Sequence, residues 1–356
     1  EFTYGLVRDR AGNFYASSGL CSFGRGVELP WTRGPLRTAQ YLPWPGPGAV
    51  PDGHRSVALY QGWAFRVSPE GRFETFASGF RQPLGVGISP EDELFISDCA
   101  GAWVPTSTFT HVERGGFYGH ADSLKWHPEL KDRRLDHAAI TALRRPPSVY
   151  LPRGVLGTSP GQPTWDTTGG RFGPFGGQVF MGDVSAILTR IDLERVAGTW
   201  QGAAFPFLRG GGLRLGGMHQ AFGPDGALYV VDFYNQAVIH NDTRGPLHSP
   251  SNAAVRPDRD HYFSRIWRVQ HKEAKALPAV ALDRKNLPGL LAAIQTSPNA
   301  HVKKLALRLA QENHAGAAQL TSLSPKMGSA ALARYESART ATTPAQRAAA
   351  LAVRGA

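Results

Sequence analysis

The chain has 356 residues, a formal net charge of +11, 42% hydrophobic and 19% charged side chains, which is ample apolar material for a large buried core. Its 41 glycines and 27 prolines make about a fifth of the sequence against ~12% on average, arguing for a turn-rich β body over a helical bundle; its two cysteines exclude a disulfide-dense scaffold and a four-cysteine zinc site, and the lack of a Cys-x-x-Cys-His run excludes a c-type haem attachment. No run of ~18 uncharged apolar residues offers a membrane-spanning helix, and ten Lys or Arg against two Glu after residue 283 leave the body near +3, so no nucleic-acid partner is expected.

Residues 1–283 read as strands. Gly5 to Tyr15, Gly85 to Phe95 and Gln220 to Tyr229 repeat one design: a short apolar strand, a tight turn rich in Pro, Asp or Gly, and a second apolar strand. A looser copy runs from Gly173 to Asp183, and three of the second strands end in Asp98, Asp183 and Asp232. Trp63 to Val67, Phe73 to Phe76, Ile187 to Ile191 and Arg265 to Val269 alternate apolar and polar residues, as half-buried outer strands do. An inner hairpin with outer strands makes a four-stranded unit. About four such units, joined by long loops around 21–55, 119–162 and 233–261, predict an all-β propeller; a sandwich competes but leaves the recurring strand–turn–strand–Asp pattern unexplained.

From residue 284 to 356 alanine dominates and the period becomes helical. Leu287, Leu290, Leu291 and Ile294, then Val302, Leu305 and Leu309 after the Ser297-Pro-Asn break, predict two short antiparallel helices over 284–311. The pair is HEAT-like and needs neighbours to bury its stripe. Only weak pattern remains after residue 315.

Gly157-Thr-Ser-Pro-Gly161 matches the nucleophile-elbow spacing. It fails because the residue after the serine is Pro160, which has no N–H for an oxyanion hole. Walker, His-Glu-x-x-His and EF-hand spacings are absent, and Asn241-Asp-Thr243 is a triplet common by chance. His219 opens the last clear inner strand; there a histidine is a general base, a ligand or a structural residue. Arg81 precedes the inner strand at Gly85 and reads as an anion clamp or an exposed salt bridge. Asp98, Asp183 and Asp232 read as turn caps, with a shared cation as the alternative. Pairing of Cys21 with Cys99 stays open.

Gly79-Phe-Arg-Gln-Pro-Leu-Gly-Val, Glu93-Leu-Phe-Ile-Ser-Asp and Gly115-Gly-Phe-Tyr-Gly-His120 resemble the glucose/sorbosone dehydrogenase propellers. Trp103-Val-Pro-Thr-Ser, Trp165-Asp-Thr-Thr-Gly-Gly-Arg-Phe, Val231-Asp-Phe-Tyr-Asn and Arg256-Pro-Asp-Arg-Asp-His are similar to a subfamily from planctomycetes and related bacteria, termed membrane-bound dehydrogenases. The resemblance covers roughly residues 1–270. It implies a six-bladed propeller, with N-terminal blades preceding this sequence, and HEAT-like repeats after it. It also implies oxidation of a sugar or alcohol with pyrroloquinoline quinone (PQQ) and calcium, a periplasmic or cell-surface location, and a cytochrome c domain or other subunits as partners. Arg81 falls on a quinone-contacting arginine, and Gln82 stands where the family has Asn. The family's catalytic histidine falls at or before Glu1, a quinone-binding Lys is absent near Val184, and two Arg are absent near Gly216 and Met218, where Arg214 and His219 lie close. The expected site is therefore His219 as base, with Arg81, Gln82 and Arg214 on the cofactor. The competing expectation is a non-catalytic propeller scaffold that binds glycans or proteins.

Overall fold

The computed structural model describes residues 3–19, 33–38, 55–101, 103–184, 187–209, 217–232, 265–274 and 280–312. Strands β1 (Thr3–Arg8) and β2 (Phe14–Ser18) form a hairpin; β3 (Arg33–Thr38) and β4 (Arg55–Ala58) form a separate one; β5 (Trp63–Val67) and β6 (Phe73–Ser78) complete the first sheet in the order β1-β2-β5-β6. The second sheet is a meander of β7 (Gly85–Ile88), β8 (Leu94–Asp98), β9 (Ser107–His111) and β10 (Val149–Leu151). The third is β11 (Pro160–Trp165), β12 (Val179–Asp183), β13 (Ile187–Val196) and β14 (Thr199–Arg209). The fourth has three described strands, β15 (Gly217–Phe222), β16 (Leu228–Asp232) and β17 (Arg265–Val269). All pairings within these sheets are antiparallel.

The first strands of successive sheets lie side by side: β1 packs on β7, β7 on β11, and β11 on β15. Four-stranded meanders arrayed with their first strands adjacent are the arrangement of propeller blades. The apolar faces close between sheets. Tyr15 and Ala77 of the first sheet meet Val86, Leu94 and Ile96 of the second. Phe95, Phe109 and Leu151 of the second meet Trp165, Met181 and Ile191 of the third, and Phe180 and Leu188 of the third meet Phe222, Leu228 and Val230 of the fourth.

Three inner hairpins turn alike. The N–H of Gly12, Asp92 and Gly226 donates to the carbonyl of Asp9, Ser89 and Gly223, three residues back. The third sheet departs from the expected Gly173–Asp183 hairpin. Its first strand is β11, upstream in the stretch read as loop, and residues 166–178 connect it to β12. Pro160 and Pro163 hide that strand from sequence inspection. An innermost strand has a ladder on one side only, so a proline whose nitrogen faces the other side costs no sheet bond.

Two helices follow, α2 (Leu287–Thr296) and α3 (Ala300–Glu312), after α1 (His137–Leu143) in the β9–β10 insertion. Asn286 caps α2 by accepting the Gly289 N–H at 3.1 Å. The buried seam between α2 and α3 is Leu290, Ala293, Val302, Ala306 and Ala310, with Leu305 and Leu309 only half-buried. The expected leucine stripe on α3 is thus displaced by one residue toward alanines, which let the two backbones approach closely. Asn299, between the helices, donates from Nδ2 to the Gly223 carbonyl at 3.0 Å and is fully buried, tying the pair to the β15–β16 turn. No helix among the described residues is long and apolar enough to cross a membrane.

Candidate functional site

Register places Tyr4, Gly85, the Gly161–Gln162 bulge and His219 at one level of the four inner strands, each opposite the penultimate residue of its second strand. Backbones crowd there. A β-carbon on Gly85 would lie 2.0 Å from the Gly161 carbonyl oxygen, so only glycine fits. His219 is exposed at this level, and its Nδ1 lies 3.2 Å from Gln162 Oε1. An amide oxygen only accepts, so Nδ1 is the donor in this contact.

The second strands of the last three sheets end at Asp98, Asp183 and Asp232, all buried. Asp98 accepts the backbone N–H of Arg81 at 2.8 Å and of Gln82 at 2.7 Å. Asp183 accepts those of Thr158 and Ser159, both at 2.7 Å. Two of the three thus hold the segment that leads into the inner strand. The described bonds of Asp232 differ: Arg265 Nε at 3.1 Å and Trp267 Nε1 at 2.9 Å. Among the described residues no three His, Cys, Asp or Glu side chains converge to hold a metal ion.

Arg81 is half-buried and shares its surroundings with His120, a residue whose chemistry the sequence reading overlooked. The insertion between β9 and β10 brings His120 in. Residues 116–120 run beside 78–79: Ser78 N–H donates to Gly116 O, Tyr118 N–H to Ser78 O, and His120 N–H to Gly79 O, at 2.9 to 3.0 Å. The following turn of 3-10 helix, Ala121–Trp126, is wholly buried. It is pinned by Trp63 Nε1 on the Ser123 carbonyl and Lys125 Nζ on Gln61 Oε1, both at 2.9 Å. Arg81 and His120 close over Gly101, where a β-carbon would meet Arg81 Cδ at 2.3 Å and His120 Cε1 at 2.7 Å.

His120 is 2% exposed, and its Nε2 has no hydrogen-bond partner among the described residues but lies 4.0 Å from Asp98 Oδ2. Burial, with the Arg81 and Arg144 charges, pushes the His120 ring down to about 3, so it is neutral near pH 7. Burial raises Asp98 to about 7 against the opposing backbone bonds and the Arg81 charge. The Cys99 thiol rises to about 12, by burial first and the Asp98 charge second, and is inert.

Of the expected site residues, Arg81 stands at this cluster. His219 sits two sheets away and bonds Gln162, not Arg81. Gln82 turns into the seam between sheets: Nε2 donates to Tyr4 Oη, and Oε1 is buried without a partner among the described residues. Arg214 and Cys21 lie outside the described residues.

Residues 190–273 match a domain of unknown function (DUF7133). No curated protein matches the chain. Among solved structures, similarity is found to an oxidoreductase from Thermus thermophilus described as a glucose dehydrogenase, at 21% identity and TM-score 0.40, covering 74% of this chain and 63% of that one. A PQQ-bound aldose sugar dehydrogenase from Streptomyces coelicolor is 15% identical with TM-score 0.39, covering 69% and 60%. A luciferin-regenerating enzyme is 12% identical with TM-score 0.34, covering 78% and 64%. The chain therefore spans less than two thirds of the length of each of these similar structures.

Proposed function

We propose that the chain is a dehydrogenase-like propeller that oxidises a small sugar or alcohol at the face where the inner strands begin. The observation that carries this reading is the half-buried Arg81 cation packed with His120 over Gly101, with no hydrogen-bond partner for His120 Nε2 among the described residues. In this reading Arg81 would hold a carboxylate of a planar polycarboxylate such as PQQ, and the neutral His120 ring would add no competing charge. Calcium would accompany the quinone in this reading; among the described residues no three His, Cys, Asp or Glu side chains converge to hold it. A quinone held by Arg81 would supply the acceptor for the hydride of the carbinol carbon.

This chain's own part is to bind, orient and remove a proton. His219, oriented through Nδ1 by Gln162, takes the hydroxyl proton at Nε2. Arg81 is itself oriented by Asp98 through its backbone N–H. Arg214, near His219 in sequence, would be the second cation, and Gln82 contributes by bracing Tyr4 in the seam. We take residues 1–283 as the propeller unit and 284–356 as a HEAT-like unit docked through Asn299. A periplasmic or cell-surface location and a cytochrome c domain or other subunit as electron acceptor complete the reading.

The test is titration of the purified chain with PQQ and calcium, followed by dye reduction with a panel of sugars and alcohols. Saturable binding, with turnover lost in His219→Ala and cofactor affinity lost in Arg81→Ala, is the expected result. Absence of cofactor binding by the wild type removes the dehydrogenase reading and leaves a binding scaffold.

A further inference from the structure

Gln220 follows His219 on β15 and is 7% exposed. Both polar atoms of its side chain are used. Nε2 donates to the carbonyl oxygen of Gln162 and, at 2.9 Å, to that of Phe180, and it lies 3.2 Å from Thr164 Oγ1. Oε1 accepts the Gly182 N–H at 3.1 Å. The Gln220 carbonyl in turn accepts the Thr164 hydroxyl at 2.9 Å. One buried amide thus ties β15 to β11 and β12, strands of a different sheet with which it shares no ladder. It grips β11 at residue 162, within the register shift between Pro160 and Pro163, where the strand's own pairing is interrupted. Gln162 is also the residue whose side-chain oxygen lies 3.2 Å from His219 Nδ1.

We propose that Gln162 and Gln220 are positioning residues for His219: Gln220 fixes the Gln162 main chain, Gln162 accepts the Nδ1 proton, and the neutral ring is held in the tautomer that offers Nε2 as the acceptor. This rests on the reading of His219 as the base. In a neutral imidazole one nitrogen donates and the other accepts, so the partner of one fixes the role of the other. The amide oxygen of Gln162 assigns the proton to Nδ1 and leaves Nε2 able to take a hydroxyl proton. An exposed glutamine on a strand with broken pairing would exchange its histidine contact for water. The bonds of Gln220 remove the main-chain part of that freedom. The Gln220 amide has one orientation, because Nε2 faces oxygens and Oε1 faces an N–H. A buried amide with its donors and acceptor satisfied is a rigid anchor.

The experiment is nitrogen NMR of the full chain, isotope-labelled in its histidine rings and recorded on the alkaline plateau of the titration. His219→Asn identifies the resonances of this ring among the 12 histidines. The wild type should show His219 mainly as the Nδ1–H tautomer. Gln162→Leu should lower the ratio of Nδ1–H to Nε2–H by about two- to tenfold, the worth of one ordinary hydrogen bond, whereas Gln162→Glu, which keeps an acceptor, should preserve it. Gln220→Met, which leaves Gln162 in place, should lower the ratio as Gln162→Leu does. Should Gln220→Met fail to fold, Thr164→Val removes the hydroxyl on the Gln220 carbonyl and replaces it in the test. A wild-type ring that is mainly Nε2–H, or a ratio unmoved in Gln162→Leu, overturns the proposal. A ratio unmoved in the folded Gln220 or Thr164 variant overturns the part given to Gln220. The measurement needs no cofactor, so a failed quinone titration removes the dehydrogenase reading without deciding the tautomer, and a wrong tautomer in a chain that binds quinone removes this proposal alone.

Discussion

The hydroxyl of Ser97, one residue before the end of β8, donates to the carbonyl oxygen of Gly161 on β11 at 2.7 Å, with Pro160 O at 3.0 Å. Ser17 repeats the arrangement one sheet earlier, donating to Pro83 O at 3.0 Å just ahead of β7. In the third sheet glycine takes this place, and main chain and side chain exchange roles: the Gly182 N–H donates to Gln220 Oε1 at 3.1 Å. The sheets are therefore stitched through side chains at the level of the inner-strand bulge, where their main chains cannot share a ladder. Ser97→Ala should lose about 1–3 kcal/mol, the usual penalty for leaving a buried polar group unsatisfied, read as a lower urea midpoint at unchanged slope.

Gly85 tests the crowding at the same level. Its missing β-carbon would meet the Gly161 carbonyl at 2.0 Å and Ser97 Oγ at 2.3 Å, and the first of these is backbone that cannot step aside. Gly85→Ala should destabilise at or beyond the ~1–3 kcal/mol of ordinary overpacking. Gly71→Ala, at φ +81° but in open space, should show only the ~1–2 kcal/mol of left-handed strain. Equal losses in the two variants would contradict the close approach.

Asp98 and His120 pull stability in opposite directions with pH. The folded Asp98 carboxyl is raised to about 7, so its contribution is full below about pH 4 and is lost as pH rises through 7. The folded His120 ring is depressed to about 3, so its contribution is full above about 6.5 and is lost as pH falls toward 3. Between pH 4 and 6.5 the two slopes, each at most about 1.4 kcal/mol per pH unit, largely cancel in the wild type. Asp98→Asn should become acid-sensitive in that window, and His120→Phe should instead weaken as pH rises from 4 to 7. Parallel pH profiles of melting temperature for the two variants would be incompatible with this assignment.

Asn299 holds α2 and α3 to the fourth sheet through the Gly223 carbonyl. Its replacement by alanine leaves that carbonyl without this donor in a buried place, worth about 1–3 kcal/mol. We expect limited proteolysis between residues 274 and 287 to accelerate in Asn299→Ala while the sheets keep their protection. Uniform acceleration across the chain would mean that the helices are not a separately docked element.

Several features were legible because they are local. Hairpins with tight turns at Asp9–Gly12, Ser89–Asp92 and Gly223–Gly226 are written in a few consecutive residues, as are the shared positions of Asp98, Asp183 and Asp232 and the two helical spans near 287 and 300. Strand β11 was hidden because two prolines look like breakers, and their tolerance depends on that strand being innermost with one side unladdered. The α3 seam could be placed to within one residue, since period assigns a stripe but close backbone approach decides whether Leu309 or Ala310 is central. His120 stands 22 positions after Asp98 within an insertion whose own residues show no periodicity pointing toward the rim. Its neighbourhood follows from the bonds that lay 116–120 along 78–79. Burial there, which sets the charge states of both groups, is a property of the packed chain as a whole: a sequence specifies which side chains can titrate, and only the tertiary structure decides which of them are taken out of water together.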